Sequence, residues 1–276
     1  MFDLSIILAT KNEEKNLKNF FSFLGNDDKK KYEILIIDNN SDDNTKQIAS
    51  NFIKPENIIS LNESEFNLNP RGKQINLGVE MCKSENIFFP DADMIFKVDL
   101  LDEAIEKLKI YDALYVPELI MNKSFFGKVR NFERSFYNCT VLDAFRFVKK
   151  DIFLQAGGFD HKTIKFGPDD WDFTLRVKQI TNKINITEKS LIHNETEMNL
   201  KKYLIKKSKY VNCFNEYREK WDGNILVKKQ FSLFYRFIMV FFENKKWKKV
   251  FLNPVNYISV IFVKIILGFV FVFKKK

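Results

Sequence analysis

Two aspartates one residue apart, Asp91 and Asp93, follow directly on the apolar run Ile87-Phe88-Phe89-Pro90. Where a strand gives way to a turn, that spacing can set oxygens of both side chains on one divalent ion. Mg²⁺ or Mn²⁺ prefers such hard ligands and keeps positions open for phosphate oxygens or water. Other acids also fall at the ends of apolar runs: Glu13 after Leu4-Ser5-Ile6-Ile7-Leu8-Ala9, and Asp38 after Glu33-Ile34-Leu35-Ile36-Ile37. Singly, residues such as Asp42 and Asp43 read as helix caps. As a set, carboxylates gathered on one edge concentrate negative charge that a cation relieves. A second acidic group, Asp169, Asp170 and Asp172, stands just after Pro168, with Phe173, Val177 and Ile180 following at helical spacing. It reads either as a helix amino terminus whose acids complement the dipole, or as carboxylates available for proton transfer.

These residues need a scaffold that delivers strand ends to one edge. Leu4 to Ala9 predicts a strand, then a polar loop, then an amphipathic helix with apolar Leu17, Phe20, Phe21 and Leu24. The pattern recurs with a strand ending at Asp38, the turn-forming Asn39 to Asn44, and a helix over 45–52. A third strand over 58–61, a helix over 73–82 and a fourth strand over 86–90 complete the series. Continuous apolar strands alternating with helices predict an α/β fold, a parallel sheet covered on both faces. Such sheets bind ligands at the carboxyl ends of their strands.

The 276 residues are 45% hydrophobic and 29% charged, with 9 Gly and 6 Pro, which excludes disordered, collagen-like and low-complexity classes. Net charge is +9, but it is uneven: residues 201–276 hold 18 Lys plus Arg against 4 Asp plus Glu, a balance of +14, leaving −5 on the rest. That split suits a catalytic body with an anion-seeking or membrane-seeking end and argues against an evenly basic nucleic-acid binder. Cys82, Cys139 and Cys213 form no CxxC pair and are expected as reduced, buried thiols of a cytosolic protein. The first apolar run is short and has no basic residue before it, so no signal peptide is expected. Triplets such as Asn138-Cys139-Thr140 then carry no glycosylation meaning.

Taken together, the segments from Ile6 to Glu13, Ile36 to Thr45 and Asn69-Pro70-Arg71-Gly72-Lys73 have a recognisable order. They continue with Asp91-Ala92-Asp93, Gly157-Gly158-Phe159-Asp160 and Gly167-Pro168-Asp169-Asp170-Trp171-Asp172. This series, spread over roughly the first 200 residues, resembles the family 2 glycosyltransferases. The resemblance implies a GT-A fold, Rossmann-like, with a nucleotide-sugar donor, a divalent metal and inversion at the anomeric carbon. It places Thr10, Asn12, Glu13 and Asp38 around the base and ribose, where Asp38 could accept from a uracil-type N–H, favouring a UDP-linked donor. It brings Arg71 to the nucleotide or its diphosphate, and gives Asp91 and Asp93 the ribose and the metal. Asp170 becomes the base that takes the acceptor hydroxyl's proton, with Asp169 beside it, although the family commonly has Glu-Asp at this pair. Relatives often carry a histidine after the late strand, so His193 is read as a third metal ligand beside the alternative of a hydrogen-bonded structural residue. His161 is given no catalytic role.

From about Asn199 the composition changes. Lys201, Lys202, Lys206, Lys207 and Lys209 interleave with Tyr203, Leu204, Ile205, Tyr210 and Val211, and Phe231, Phe234, Phe237, Phe241 and Phe242 alternate with basic residues. Such a face suits an anionic bilayer. Residues 255–273 are mostly apolar but carry Lys264 and close on Lys274-Lys275-Lys276. A central lysine costs about 2.5 to 3.5 kcal/mol at the bilayer midplane, which favours an interfacial or shallowly inserted hairpin or helix over a single span. Residues 1–224 are thus read as the catalytic domain and 225–276 as a membrane-associated segment at the cytoplasmic face. A glycan or polyprenyl-linked acceptor follows from that location. Two alternatives stand beside this reading: a sugar-phosphate nucleotidyltransferase, for which a glycine-rich phosphate loop after the first strand is missing, and a catalytically silent membrane-binding module.

Overall fold

The computed structural model describes residues 2–23, 31–61, 68–165, 167–210 and 213–274. Leu24, Val211, Lys275 and Lys276, which enter the patterns above, lie outside them. The chain divides into two compact units, one of Met1–Pro117 with Phe145–Leu191 and one of Glu118–Ala144 with Ile192–Lys276.

The first unit is built on β1 (Leu4–Thr10), α1 (Glu14–Phe20), β2 (Tyr32–Asp38), α2 (Thr45–Ser50), β3 (Ile58–Ser60) and α3 (Pro70–Met81). It continues through β4 (Asn86–Phe88), β5 (Met94–Ile95), α4 (Val98–Leu108) and β6 (Ala113–Tyr115). The chain then supplies β7 (Glu118–Met121) and α5 (Phe125–Arg134) to the second unit. It returns as β8 (Phe145–Lys149), α6 (Lys150–Gln155), α7 (Asp169–Ile180) and β9 (Ile184–Ile186). Seven strands form one sheet in the order β3-β2-β1-β4-β8-β6-β9.

Pairing is parallel between β1 and β2, β1 and β4, β2 and β3, and β6 and β9, but β8 runs antiparallel to both β4 and β6. The sheet is therefore mixed, which corrects the expectation of a wholly parallel one. The handedness rule governs strand–helix–strand crossovers. Strand β8 instead follows an excursion through a different unit, and so is free to enter the sheet in the opposite sense.

Alternation along β1 shows why its sequence is apolar throughout. Leu4, Ile6 and Leu8 pack with Leu17, Phe20, Leu100 and Ala104 on one face, while Ile7 packs with Ile75, Val79, Phe153 and Phe173 on the other. A strand buried on both sides cannot show a polar face. Helix α3 lies close on β1 at Gly78, where an added Cβ would stand 2.4 Å from Ile7 Cγ2.

The second unit adds β10 (Leu191–Asn194), which adjoins β7, and then α8 (Leu200–Tyr210), α9 (Phe214–Lys220) and α10 (Ile225–Phe231). A π-helical turn over Tyr235–Met239 leads to α11 (Val240–Phe242), α12 (Trp247–Leu252) and α13 (Pro254–Lys274). Its interior is ionic as well as aromatic: buried Glu133 accepts from Arg130 Nη1 at 2.8 Å and from the Tyr137 hydroxyl at 2.5 Å. The phenylalanines expected on one basic face separate, Phe241 going fully into the core while Phe234 and Phe242 stay exposed. Among the described residues, no helix is long and apolar enough to cross a membrane. None of the three cysteines forms a disulfide, but only Cys82 is buried; Cys139 is exposed and Cys213 intermediate, which corrects the expectation of three buried cysteines.

Candidate active site

Strands β1 and β2 end in register, Thr10 opposite Asp38. The Thr10 hydroxyl donates to Asp38 Oδ1 at 2.9 Å, and Ser41 donates to the same carboxylate from its N–H at 2.8 Å and its hydroxyl at 2.5 Å. Asp38 is fully buried, so its observed work is to lock the two strand ends together. The two loops beyond are knitted as well. Asn12 N–H donates to Ser41 Oγ at 2.9 Å, Asn12 Oδ1 accepts from Asp42 N–H at 3.1 Å, and Glu13 N–H donates to Thr45 Oγ1 at 2.8 Å. Asn12 and Asn40 sit at φ +57° and +48°, the left-handed region that Asn tolerates better than most residues. Asn12 is exposed and Glu13 half-buried, so these two, and not Asp38, form the open edge of the loop pair.

Glu13 reports the electrostatics of that edge. Burial pushes its carboxyl up, the hydrogen bond from Asn16 Nδ2 opposes this, and the negative charges of Asp93, Asp91 and Asp43 raise it further. Asp91 and Asp93 each offer a carboxylate oxygen within 4.8 Å of the other. Acids of β1's loop and of the turn after β4 therefore sense one another, and the two aspartates offer hard oxygen, which fits Mg²⁺ or Mn²⁺. His193 lies on β10, in the second unit.

Arg71, in the first turn of α3, is the hub. Its Nε donates to Asp91 Oδ1 at 2.8 Å, and its Nη1 reaches Asp170 Oδ1 at 3.1 Å and Asp169 Oδ2 at 3.5 Å. The guanidinium also lies over the Phe159 ring, 5.6 Å from its centroid. Burial alone would lower its pKa; the charges of Asp170, Asp91 and Asp169 outweigh that and hold it above the usual arginine range. Arg71 Nη2 is buried and has no hydrogen-bond partner among the described residues. From β8, buried Arg146 brings Nη1 to 3.6 Å from Asp91 Oδ2 and 3.7 Å from Asp170 Oδ2. Two arginines thus bracket one acid from the turn after β4 and one from the start of α7.

The neighbouring acids of α7 part company. Asp169 is buried, accepting from Gly167 N–H at 2.9 Å and from Asn69 Nδ2 at 2.9 Å, while Asn69 Oδ1 accepts from Gly72 N–H to cap α3. Burial is the larger cause, and the charge of Asp170 the next, that push Asp169 up to about 6. Asp170 is the more accessible of the two, with about a quarter of its side chain, 26%, exposed. The turn before them is held by Arg176, which pairs with buried Asp172 at 2.8 Å and donates to the carbonyls of Ala156 and Gly158. Gly158 adopts φ +64°, and a Cβ there would stand 2.6 Å from Asn76 Oδ1. Asn76 in turn brackets Phe159, accepting from its N–H at 2.7 Å and donating to its carbonyl at 2.9 Å, with His161 Nδ1 at 3.3 Å.

Five of the expected residues, Glu13, Asp91, Asp93, Asp169 and Asp170, therefore meet around Arg71 and the strand ends, on the sheet edge the order of elements required. Glycosyl transferase family 2 matches the chain over residues 5–160. The chain belongs to that family. This glycosyltransferase has a GT-A-like mixed α/β fold, and solved structures align over nearly its whole length. A TarS fragment from S. aureus, residues 1–349, matches at 18% identity with a TM-score of 0.59, covering 95% of this chain and 81% of that one. The same fragment in complex with UDP-GlcNAc matches at 16% identity, TM-score 0.57, covering 94% and 79%. The mannosyltransferase PcManGT from Pyrobaculum calidifontis, in complex with GDP-Man and Mn²⁺, matches at 15% identity, TM-score 0.60, covering 97% and 80%. No curated protein matches the sequence.

Sequence reasoning missed Arg146, Gln74 and the buried side chain of Asn69. Gln74 Nε2 donates to the carbonyls of Thr10 at 2.8 Å and Ile37 at 2.5 Å, joining α3 to both strand ends. Arg146 had a signal: it is the one charge inside the apolar stretch Phe145-Arg146-Phe147-Val148, and a buried arginine needs acidic partners.

Proposed function

We propose that this glycosyltransferase moves a sugar, with inversion, from a nucleoside-diphosphate donor to a hydroxyl of a lipid-linked or glycan acceptor at the cytoplasmic face of a membrane. The observation that carries the reading is the Arg71 hub. A guanidinium already spanning Asp91 and Asp170, with buried Nη2 still to be satisfied, is a forked donor suited to diphosphate oxygens beside a general base. Asn12 and Glu13 would meet the nucleoside at the open edge of the loops. Asp93 and Asp91 would hold the divalent ion, with His193 a third ligand. When bound, the ion supplies charge neutralisation for the departing diphosphate.

Asp170 takes the proton of the acceptor hydroxyl, whose oxygen attacks the anomeric carbon from the face opposite the diphosphate. Arg71 and Arg146 hold Asp170 and Asp91 in fixed relation through this step, and Asp169, tied to Asn69, fixes the start of α7. The chain's contribution is alignment and preorganised charge. UDP-GlcNAc and GDP-Man are bound by structural neighbours, which supports the donor class but leaves the base to experiment. Family membership favours this reading over the nucleotidyltransferase and silent-module alternatives.

The test is a thermal-shift panel of UDP, GDP, UDP-GlcNAc and GDP-Man with and without Mn²⁺. A donor at about 100 times its Kd adds roughly 2.7 kcal/mol, a rise on the order of 5 to 10 °C, for one nucleotide series and more so with Mn²⁺. Absence of any shift across the panel would sink the proposal.

A further inference from the structure

Helix α13 is amphipathic the wrong way round. Val255, Ile258, Ile265, Phe262 and Phe269 are all exposed, four of them between 59% and 66%. At 100° per residue these five positions fall within an arc of about 80° on one face. The opposite face carries Val260, Val263 and Lys264, which are turned inward. Lys264, the charge that made residues 255–273 an awkward bilayer segment, is 10% exposed in its side chain. Its Nζ donates to the Arg236 carbonyl at 2.5 Å, lies 3.5 Å from Glu133 Oε1 and 4.7 Å from the Phe241 ring centroid. Burial alone would raise the Glu133 carboxyl, but Lys264 and Arg130 outweigh it and hold it down at about 2, while burial lowers Lys264 against the opposing pull of Glu133.

The exposed stripe is thus unbroken by charge, while exposed lysines stand just before it: Lys245, Lys248 and Lys249, around half-exposed Trp247. A contiguous apolar stripe on a soluble surface marks an interaction site, and aromatic and lysine residues beside it match the headgroup level of an anionic bilayer. We infer that α13 lies in the plane of an anionic membrane surface, its Val255–Phe269 stripe among the acyl chains and the Lys245, Lys248 and Lys249 cluster on the phosphates, with Lys264 neutralised inside the protein by Glu133. This rests on the proposed membrane location and adds the face and the residues that make the contact. The mode is lying on the surface rather than spanning it, because the inward side of α13 is occupied by its own ion pair.

The test is co-sedimentation of the full chain with phosphatidylcholine vesicles with and without phosphatidylglycerol. Wild type is expected to bind the anionic vesicles. Replacing both Ile258→Ser and Phe262→Ser weakens that binding by on the order of tenfold or more per side chain. Lys248→Ser with Lys249→Ser weakens it by about fivefold per lysine, and salt does the same. Because these side chains are exposed, the thermal midpoint and the hydrolysis of a nucleotide-sugar in solution remain at wild-type values. Undiminished vesicle binding by the Ile258/Phe262 variant overturns the inference. So does a lipid-free dimer that this variant dissolves while wild type ignores vesicles, since the stripe would then cover a second copy. Loss of sugar-nucleotide hydrolysis in wild type would strike the catalytic proposal and leave the vesicle result to judge this one.

Discussion

Arg71→Ala removes the cation shared by Asp91, Asp169 and Asp170, and its cost can be worked from their surroundings. Breaking a buried ion pair by deleting one partner typically costs about 3 to 5 kcal/mol. Here Asp91 and Asp170 keep 29% and 26% of their side chains in water, while Asp169 keeps 2%, so the low end applies, about 3 kcal/mol. In a unit of this size that lowers Tm by roughly 6 to 12 °C. The loss should depend on pH with a definite sign. Asp169's folded pKa, about 6, lies above its ordinary value of 3.8, so the folded state holds the proton more tightly and stability falls as pH rises between them. Arg71 is the charge that limits this rise, so in Arg71→Ala the decline continues to higher pH. Thermal unfolding of wild type and variant at pH 5 and pH 8 is the assay, with a smaller gap expected at pH 5. Arg71→Lys should recover part of the stability but not donor KM, since an ammonium lacks the fork. A variant with wild-type Tm at both pH values would refute the reasoning.

Asp169→Asn should flatten the fall in wild-type stability over the window from about pH 4 to about pH 6, read as Tm against pH; an unchanged slope there would show that the buried acid does not titrate as described. Gly158→Ala places a Cβ 2.6 Å from Asn76 Oδ1 at φ +64°, so a loss of about 1 to 3 kcal/mol is expected by urea unfolding, and a neutral substitution would contradict the turn geometry. Asp93→Asn should leave folding intact but abolish the Mn²⁺-dependent part of donor binding measured by calorimetry; full retention would remove Asp93 from the ion's ligands.

The first half of the fold was legible because doubly buried strands leave long apolar runs: β1 and β2 begin and end within a residue or two of the predicted positions, and α7 starts directly after Pro168. The sense of β8 was not, since a strand carries no mark of its direction and Phe145–Lys149 enters after a detour through another unit. In the site, residue types were visible but burial was not. Asp38 reads in sequence like a ligand-facing acid, yet Thr10 and Ser41 claim it. Asp169 and Asp170 look equivalent until helix geometry turns one onto Asn69 and leaves the other at the surface. Lys264 misled in the opposite direction, because its partner Glu133 lies 131 positions earlier in the chain and no local pattern announces the pair.

Asp170 is the base in the proposed glycosyl transfer. Its most direct test is nucleoside-diphosphate release from the donor that stabilises the protein, with acceptor present, compared between wild type and Asp170→Asn of equal Tm. A loss of about 10² to 10⁴ in kcat with donor KM little changed is the predicted result. Turnover by the asparagine variant within a few-fold of wild type would contradict it.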